Sequence, residues 1–147
     1  MKKDLETVEL DIKTLGYYLD RALCVMIKRL NKELRDENLN FQHSDFTVMK
    51  VLSEVESINQ SHLAKILGKE KSGIGKTLKT LEKEGYIERK PLNGCTNIVR
   101  LTEKGIEVLP LLNKIAERVT ENAFSGFSAK KREDVMKSLT LIYRNSL

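Results

Sequence analysis

Apolar residues recur at helical spacing in six stretches of this chain, and shift to strand-like spacing at one place near the middle. From about Thr7 to Asn38, Ile12, Leu15, Leu19, Ala22, Met26, Leu30 and Leu34 share one face of a long helix. Gly16 weakens that helix by about 1 kcal/mol relative to Ala, so packing must hold it. Asn38-Leu39-Asn40 ends the run. A shorter helix opens at His43 or Ser44, carries Phe46, Val48, Met49, Val51 and Leu52, and stops before Glu56-Ser57. Ser44 with Thr47 three places on is an incomplete capping box.

The centre of the chain predicts two short helices and a hairpin. Asn59 to Gly68 makes about two turns, with Leu63, Ala64 and Leu67 on one side and Gly68 suited to a left-handed C-terminal position. Lys71 to Lys83 follows, burying Ile74, Leu78 and Leu81 while Lys76, Lys79 and Lys83 lie off that stripe. Gly85 stops it. Tyr86 to Lys90 and Thr96 to Leu101 are β-prone, and the Asn93-Gly94 pair between them is a strong hairpin signal. Thr102-Glu103-Lys104-Gly105 caps a further helix through about Asn122, with Ile106, Leu109, Leu112, Ile115, Ala116 and Val119 as its stripe and Pro110 placed to bend it. The last helix, about Ala129 to Arg144, starts after Ser128 and uses Val135, Met136, Leu139 and Ile142. The whole reads as mainly α with a small β wing. A winged helix-turn-helix (39–105) lies between an N-terminal helix (1–38) and C-terminal helices (106–147). The apolar stripes of these outer segments exceed what one small winged helix needs. Homodimerisation uses them, and an intramolecular bundle is the other way to cover them.

Composition narrows the class. With 147 residues, 40% hydrophobic and 32% charged, the chain suits one soluble domain, or one module with helical additions. No apolar run approaches the ~20 residues of a membrane-spanning helix, and Met1-Lys2-Lys3 leads into acidic residues rather than a signal-peptide core. The expectation is a cytoplasmic protein with no membrane partner. Cys24 and Cys95 form no CxxC and suggest reduced thiols. The two histidines, His43 and His62, belong to no catalytic signature, and no nucleophile elbow, P-loop, dinucleotide fingerprint or HExxH occurs. No enzyme, cofactor or metal is therefore expected. A zinc site assembled from His43 and Cys24 would lack the regular spacing of such sites.

The position of the charge changes the picture more than its amount. Residues 61–105 hold ten basic and five acidic side chains, which equals the +5 of the entire chain, so the rest is balanced. A localised basic field attracts phosphates and weakens with salt, which points to double-stranded DNA. In a winged helix the second helix enters the major groove, the first braces it, and the wing reaches toward the minor groove. Ser72, Gly73, Lys76 and Lys79 then face base edges, where Lys donates to the O6 and N7 acceptors of guanine. Gln60 and Ser61, at the start of the bracing helix, suit phosphates. Arg89, Lys90 and Arg100 flank the hairpin. Gly73 and Gly75 either permit close approach to bases or reflect ordinary tolerance of glycine. A protein-binding winged helix is the competing class, and it has no general need of positive charge focused on this helix and wing.

The run Leu63-Ala64…Leu67, Ser72-Gly73-Ile74, Leu81-Glu82-Lys83-Glu84-Gly85-Tyr86-Ile87-Glu88-Arg89 and Leu101-Thr102-Glu103-Lys104-Gly105 resembles the MarR family of winged-helix transcriptional regulators. The resemblance covers nearly the whole chain. It implies a homodimer on a pseudo-palindromic operator, with repression as the family expectation and a small ligand or oxidant as the usual signal. Many relatives carry an Asp and an Arg at the wing tip. Here the stretch is Asn93-Gly94-Cys95-Thr96, which implies weaker minor-groove reading.

In proteins resembling this one, a ligand crevice lies where the first two helices meet the winged helix. Tyr17, Tyr18, Arg21, His43 and Phe46 are the candidates to line it: rings for an aromatic body, Arg21 for a carboxylate or phenolate. The alternative is ordinary packing of these rings with Arg21 at the surface. A thiol-based redox regulator is the rival. The oxidant-sensing branch places its cysteine near the start of the first helix, where this chain has Tyr18, so Cys24 does not match. Cys95 at the wing tip is expected to be exposed and open to modification.

Overall fold

A computed structural model describes residues 14–94 and 96–147. The expected start of the first helix at Thr7, together with Ile12, and the expected exposure of Cys95 lie outside the described residues. The elements run α1 (Leu15–Asp36), α2 (His43–Glu54), β1 (Ile58–Asn59), α3 (Gln60–Leu67), α4 (Lys71–Lys83), β2 (Ile87–Asn93), β3 (Thr96–Leu101), α5 (Glu103–Ala123) and α6 (Ala129–Asn145). The architecture is a winged helix-turn-helix between long helices, as the apolar pattern predicts.

Local chemistry explains most boundaries. Thr14, Asn59, Thr102 and Ser128 each cap a helix through a side-chain oxygen that accepts a backbone N–H three residues on. At α2 the cap differs from the expected Ser44/Thr47 pair. The Asp45 carboxylate accepts the Gln42 N–H at 2.8 Å, while the Thr47 hydroxyl donates to the Ser44 carbonyl. Asp45 is buried, and burial raises its pKa against the opposing hydrogen bond from Gln42.

The sheet corrects two expectations. It has a third strand, β1, paired antiparallel with β3 through Ile58–Val99 and Asn59–Ile98, giving the order β1-β3-β2. The hairpin also reverses one residue later than the Asn93-Gly94 pair suggests. β2 continues through Pro91 to Asn93, which pairs with Thr96 after a register irregularity between Pro91 and Asn93. Pro91 is tolerated because β2 is an edge strand and needs no outward N–H donor.

One core joins every element but the last. Leu34 from α1, Val48 and Met49 from α2, Leu63 from α3, Leu78 and Leu81 from α4, Ile87 and Val99 from the sheet, and Leu112 and Ile115 from α5 are all fully buried. α6 buries nothing. The outer part of α1 is also bare: Leu15, Leu19 and Met26 of the expected stripe are exposed.

The start of α5 is fixed by close approach. The Thr102 hydroxyl donates to the Gly85 carbonyl at 2.6 Å and accepts from the Gly105 N–H at 3.1 Å. A Cβ on Gly105 would lie 2.1 Å from the Tyr86 carbonyl oxygen, so only glycine fits. Because Gly105 faces inward, Leu112 and Val119 follow it at seven-residue steps on the buried side. Ile106 is then turned about 100° away. It was expected in the buried stripe, and it is 58% exposed.

Candidate nucleic-acid interface

The helix-turn-helix is built from short-range constraints. α3 ends at Gly68, whose φ of 59° is the left-handed conformation expected there. The Gln60 amide donates to the Lys71 carbonyl at 3.1 Å and so ties the start of α3 to the start of α4. A Cβ on Gly75 would stand 3.1 Å from that same amide nitrogen, whereas Gly73 has open space around it. The two glycines therefore differ. Gly75 makes room for the Gln60 tie, and Gly73 leaves the exposed surface of α4 low.

Ile74, Leu78 and Leu81 anchor α4 in the core. Ser72, Gly73, Lys76 and Lys79 are exposed, and Ser61 is exposed at the first turn of α3. Among the described residues, none of Lys65, Lys69, Lys71, Lys76, Lys79 and Lys83 forms an ion pair with a carboxylate. Their charge is uncompensated by direct partners. Gln60, expected at phosphates, instead spends its amide on the internal tie.

The wing is arranged otherwise. Arg89 donates from Nε to Glu82 Oε2 at 3.1 Å and from Nη2 to the same oxygen, which joins the wing to α4. Arg100 donates to Glu88 across the β2–β3 ladder, and Lys90 lies 3.6 Å from that carboxylate. The hydrogen bond from Arg89 lowers the pKa of Glu82 and raises that of Arg89, and the bond from Arg100 lowers the pKa of Glu88. All three wing cations expected to face DNA thus have a carboxylate beside them. Lys104 holds the base of the wing, with Nζ 2.5 Å from the Glu84 carbonyl and 4.3 Å from the centre of the Tyr86 ring.

The proposed effector residues separate into two groups. His43 and Phe46 border a cavity of about 160 Å³ between α1, α2 and α5, with Met26, Ile27 and Val119 among its walls. His43 also borders a second cavity of about 510 Å³ with Thr47, Leu67, Lys69, Gly73 and Thr77. Tyr17, Tyr18 and Arg21 line neither. Arg21 instead donates to the Tyr17 hydroxyl at 2.9 Å, and the two tyrosine rings meet edge to face at 5.8 Å. The His43 backbone N–H donates to Asn31 Oδ1 at 2.8 Å. Burial lowers the pKa of its ring from 6.5, and the nearby Lys69 charge lowers it further. Lys69 and Thr77 were missed at this cavity, because neither lies near His43 in sequence and only the packing of α2 on α4 joins them.

Cys24 is exposed on α1. Among the described residues, no three His, Cys, Asp or Glu side chains converge as metal ligands, and no helix is long and apolar enough to cross a membrane.

Comparison with known proteins agrees with this geometry. A model of the MarR family matches residues 41–94. The HTH-type transcriptional regulator YybA of Bacillus subtilis is 30% identical over 117 residues, which span 78% of this chain and 77% of that protein. A MarR transcriptional regulator from Methanosarcina mazei Go1 superposes with a TM-score of 0.84 at 25% identity, covering 93% of this chain and 92% of its own. A mutant MarR from E. coli complexed with operator DNA shares the fold, with a TM-score of 0.78 at 18% identity over 87% of this chain and 92% of that one. By these matches the chain belongs to the MarR family of transcriptional regulators and is not an enzyme.

Proposed function

We propose that this regulator is a repressor that binds a pseudo-palindromic operator as a homodimer, with α4 in the major groove of each half-site. The observation that carries this reading is the exposed face of α4. Lys76 and Lys79 stand there without carboxylate partners among the described residues, and the opposite face is locked into the core by Ile74, Leu78 and Leu81. Such lysines gain phosphate or guanine contacts without first breaking an ion pair, and the helix they ride on is rigid. Ser72 and Gly73 reach base edges, and Ser61 meets the backbone. Arg89, Lys90 and Arg100 supply a weaker field at the wing. That an E. coli protein of the same fold is found complexed with operator DNA supports DNA as the partner. Fluorescence anisotropy of a labelled duplex from the upstream region, against a scrambled duplex at several salt concentrations, tests it. Tight, salt-sensitive preference for the upstream duplex is the expected result. Equal, weak binding to both duplexes would move the function toward protein interaction.

The bare faces of α1 and α6 support the dimer. Leu15, Leu23 and Val25 on α1 and Met136, Leu141 and Tyr143 on α6 are all more than half exposed, and a two-fold partner would cover them. A two-fold pair would set two copies of α4 about 34 Å apart, one turn of DNA. A stable monomer in sedimentation at micromolar concentration would count against this.

For the effector, the reading remains a small anionic aromatic that releases DNA, with one change in the residues assigned. Lys69 at the His43 cavity takes the charge-pairing role first given to Arg21, and the apolar walls Leu67 and Ile74 take the ring. The cavity touches α4 directly through Gly73 and Thr77, so an occupant has a route to the DNA-facing helix. A panel of such compounds that shifts neither melting temperature nor DNA affinity would remove the effector from the proposal.

A further inference from the structure

A second kind of cavity lies away from the α4 face. It is a groove of about 680 Å³ between the end of α2, the wing and the first turns of α5, within the size range of small-molecule sites. Its apolar wall is made by Val55, Leu101, Ile106 and Leu109. Ile106 is the residue that the Gly105 contact turns out of the core, and this groove is where it points its exposed surface. The rim is acidic. Glu56 and Glu103 are exposed, and neither has an ion-pair partner among the described residues. Glu88 and Arg100 also border the groove, but they neutralise each other. Two carboxylate charges are left over, Glu103 inside the basic segment 61–105 and Glu56 on its immediate flank.

Each feature alone has an ordinary explanation. Glu103 in the first turn of α5 favours the helix dipole, and a single exposed isoleucine is common. Neither accounts for Glu56 bordering the same groove. The complementary occupant has an apolar body and a positive centre. An anion would be repelled by the uncompensated carboxylates, and a small hydrated cation would leave the Ile106 wall in water.

We propose that this groove binds a hydrophobic organic cation, with its apolar part against Leu101, Ile106 and Leu109 and its charge between Glu56 and Glu103. The site shares no lining residue with the His43 cavity, so either stands or falls alone. Isothermal titration calorimetry of the full chain with tetraphenylphosphonium, without DNA, is the test. The expected result is one saturable site per chain that weakens at least tenfold in a Glu56→Gln, Glu103→Gln variant retaining the wild-type melting curve. Ile106→Ser should weaken it as well, and this variant decides the matter if the double variant does not fold. No saturation at millimolar cation, or binding unchanged by these substitutions, overturns the site.

Discussion

α4 and the wing carry similar amounts of basic charge but hold it in opposite ways. Lys71, Lys76, Lys79 and Lys83 of α4 have no carboxylate partners among the described residues, whereas Arg89, Lys90 and Arg100 of the wing all sit beside Glu82 or Glu88. A free lysine gives up only hydration and counterions to meet a phosphate. A paired arginine must also lose or share its carboxylate, so it contributes less to affinity and more to shape. Arg89 shows this most clearly, since its partner Glu82 belongs to α4. The pair ties the wing to α4. Counting cations along the sequence overstates what the wing offers to DNA.

This contrast breaks most completely if the floor of α4 is removed. Leu78→Ala takes a fully buried side chain from the core and should cost about 2–5 kcal/mol in urea denaturation, with DNA binding lost as the helix loosens. A cost under about 1 kcal/mol would mean that α4 is not held from behind as described. Next is the base of the wing. Gly105→Ala forces a Cβ against the Tyr86 carbonyl and should destabilise by about 1–3 kcal/mol, read in the same denaturation experiment.

The comparison itself is tested by charge. Lys76→Ala with Lys79→Ala should weaken operator binding at least tenfold, about 1.4 kcal/mol, while leaving stability nearly unchanged. If Arg89→Ala weakens binding by as much, the free-versus-paired distinction is wrong. Glu88→Gln should act in the other direction. It releases Arg100 and Lys90, so affinity rises about threefold and the salt dependence steepens.

The smallest effect concerns pH. Burial and Lys69 hold the His43 pKa below 6.5, so as pH falls the unfolded chain takes up the proton before the folded one does. The stabilisation is complete above about pH 6.5 and is lost as pH falls through the interval between the unfolded and folded values. His43→Asn should flatten that part of the stability profile, as followed by thermal melting between pH 5 and 7.5.

Where a segment is long and periodic, its residues announced the fold. α4 begins and ends at the expected residues because Ile74, Leu78 and Leu81 form a regular stripe and Gly85 closes it. β1 was invisible, since two residues have no periodicity and Ile58–Asn59 becomes a strand only by pairing with β3. The fate of Ile106 was equally hidden. Its spacing fits the helical stripe, and only the Gly105–Tyr86 approach rotates that stripe past it. On α4, proposed to meet DNA, the exposed and buried faces were readable from the sequence. The partners were not, because Glu82 meets Arg89 and Gln60 meets Lys71 across turns whose geometry no local pattern specifies. The grouping of Tyr17 and Arg21 with His43 failed for a similar reason. The crevice position came from the resemblance, whereas in the fold His43 meets α1 at Asn31, several turns along the helix from Tyr17 and Arg21.

The seating of Gly105 against Tyr86 has a mechanical side. α5 begins at that contact and continues unbroken for 21 residues, roughly 31 Å of helix at 1.5 Å per residue. It behaves as a lever whose short end is fastened to the wing and whose long end lies next to α6. A tilt of about 5° at the far end swings that end by about 3 Å, and the same rotation reaches the wing with little slack, because the Gly105–Tyr86 contact has no room to slip. In the proposed dimer, motion between the two copies and motion of their wings would then be one degree of freedom, set by the absence of a single methyl group.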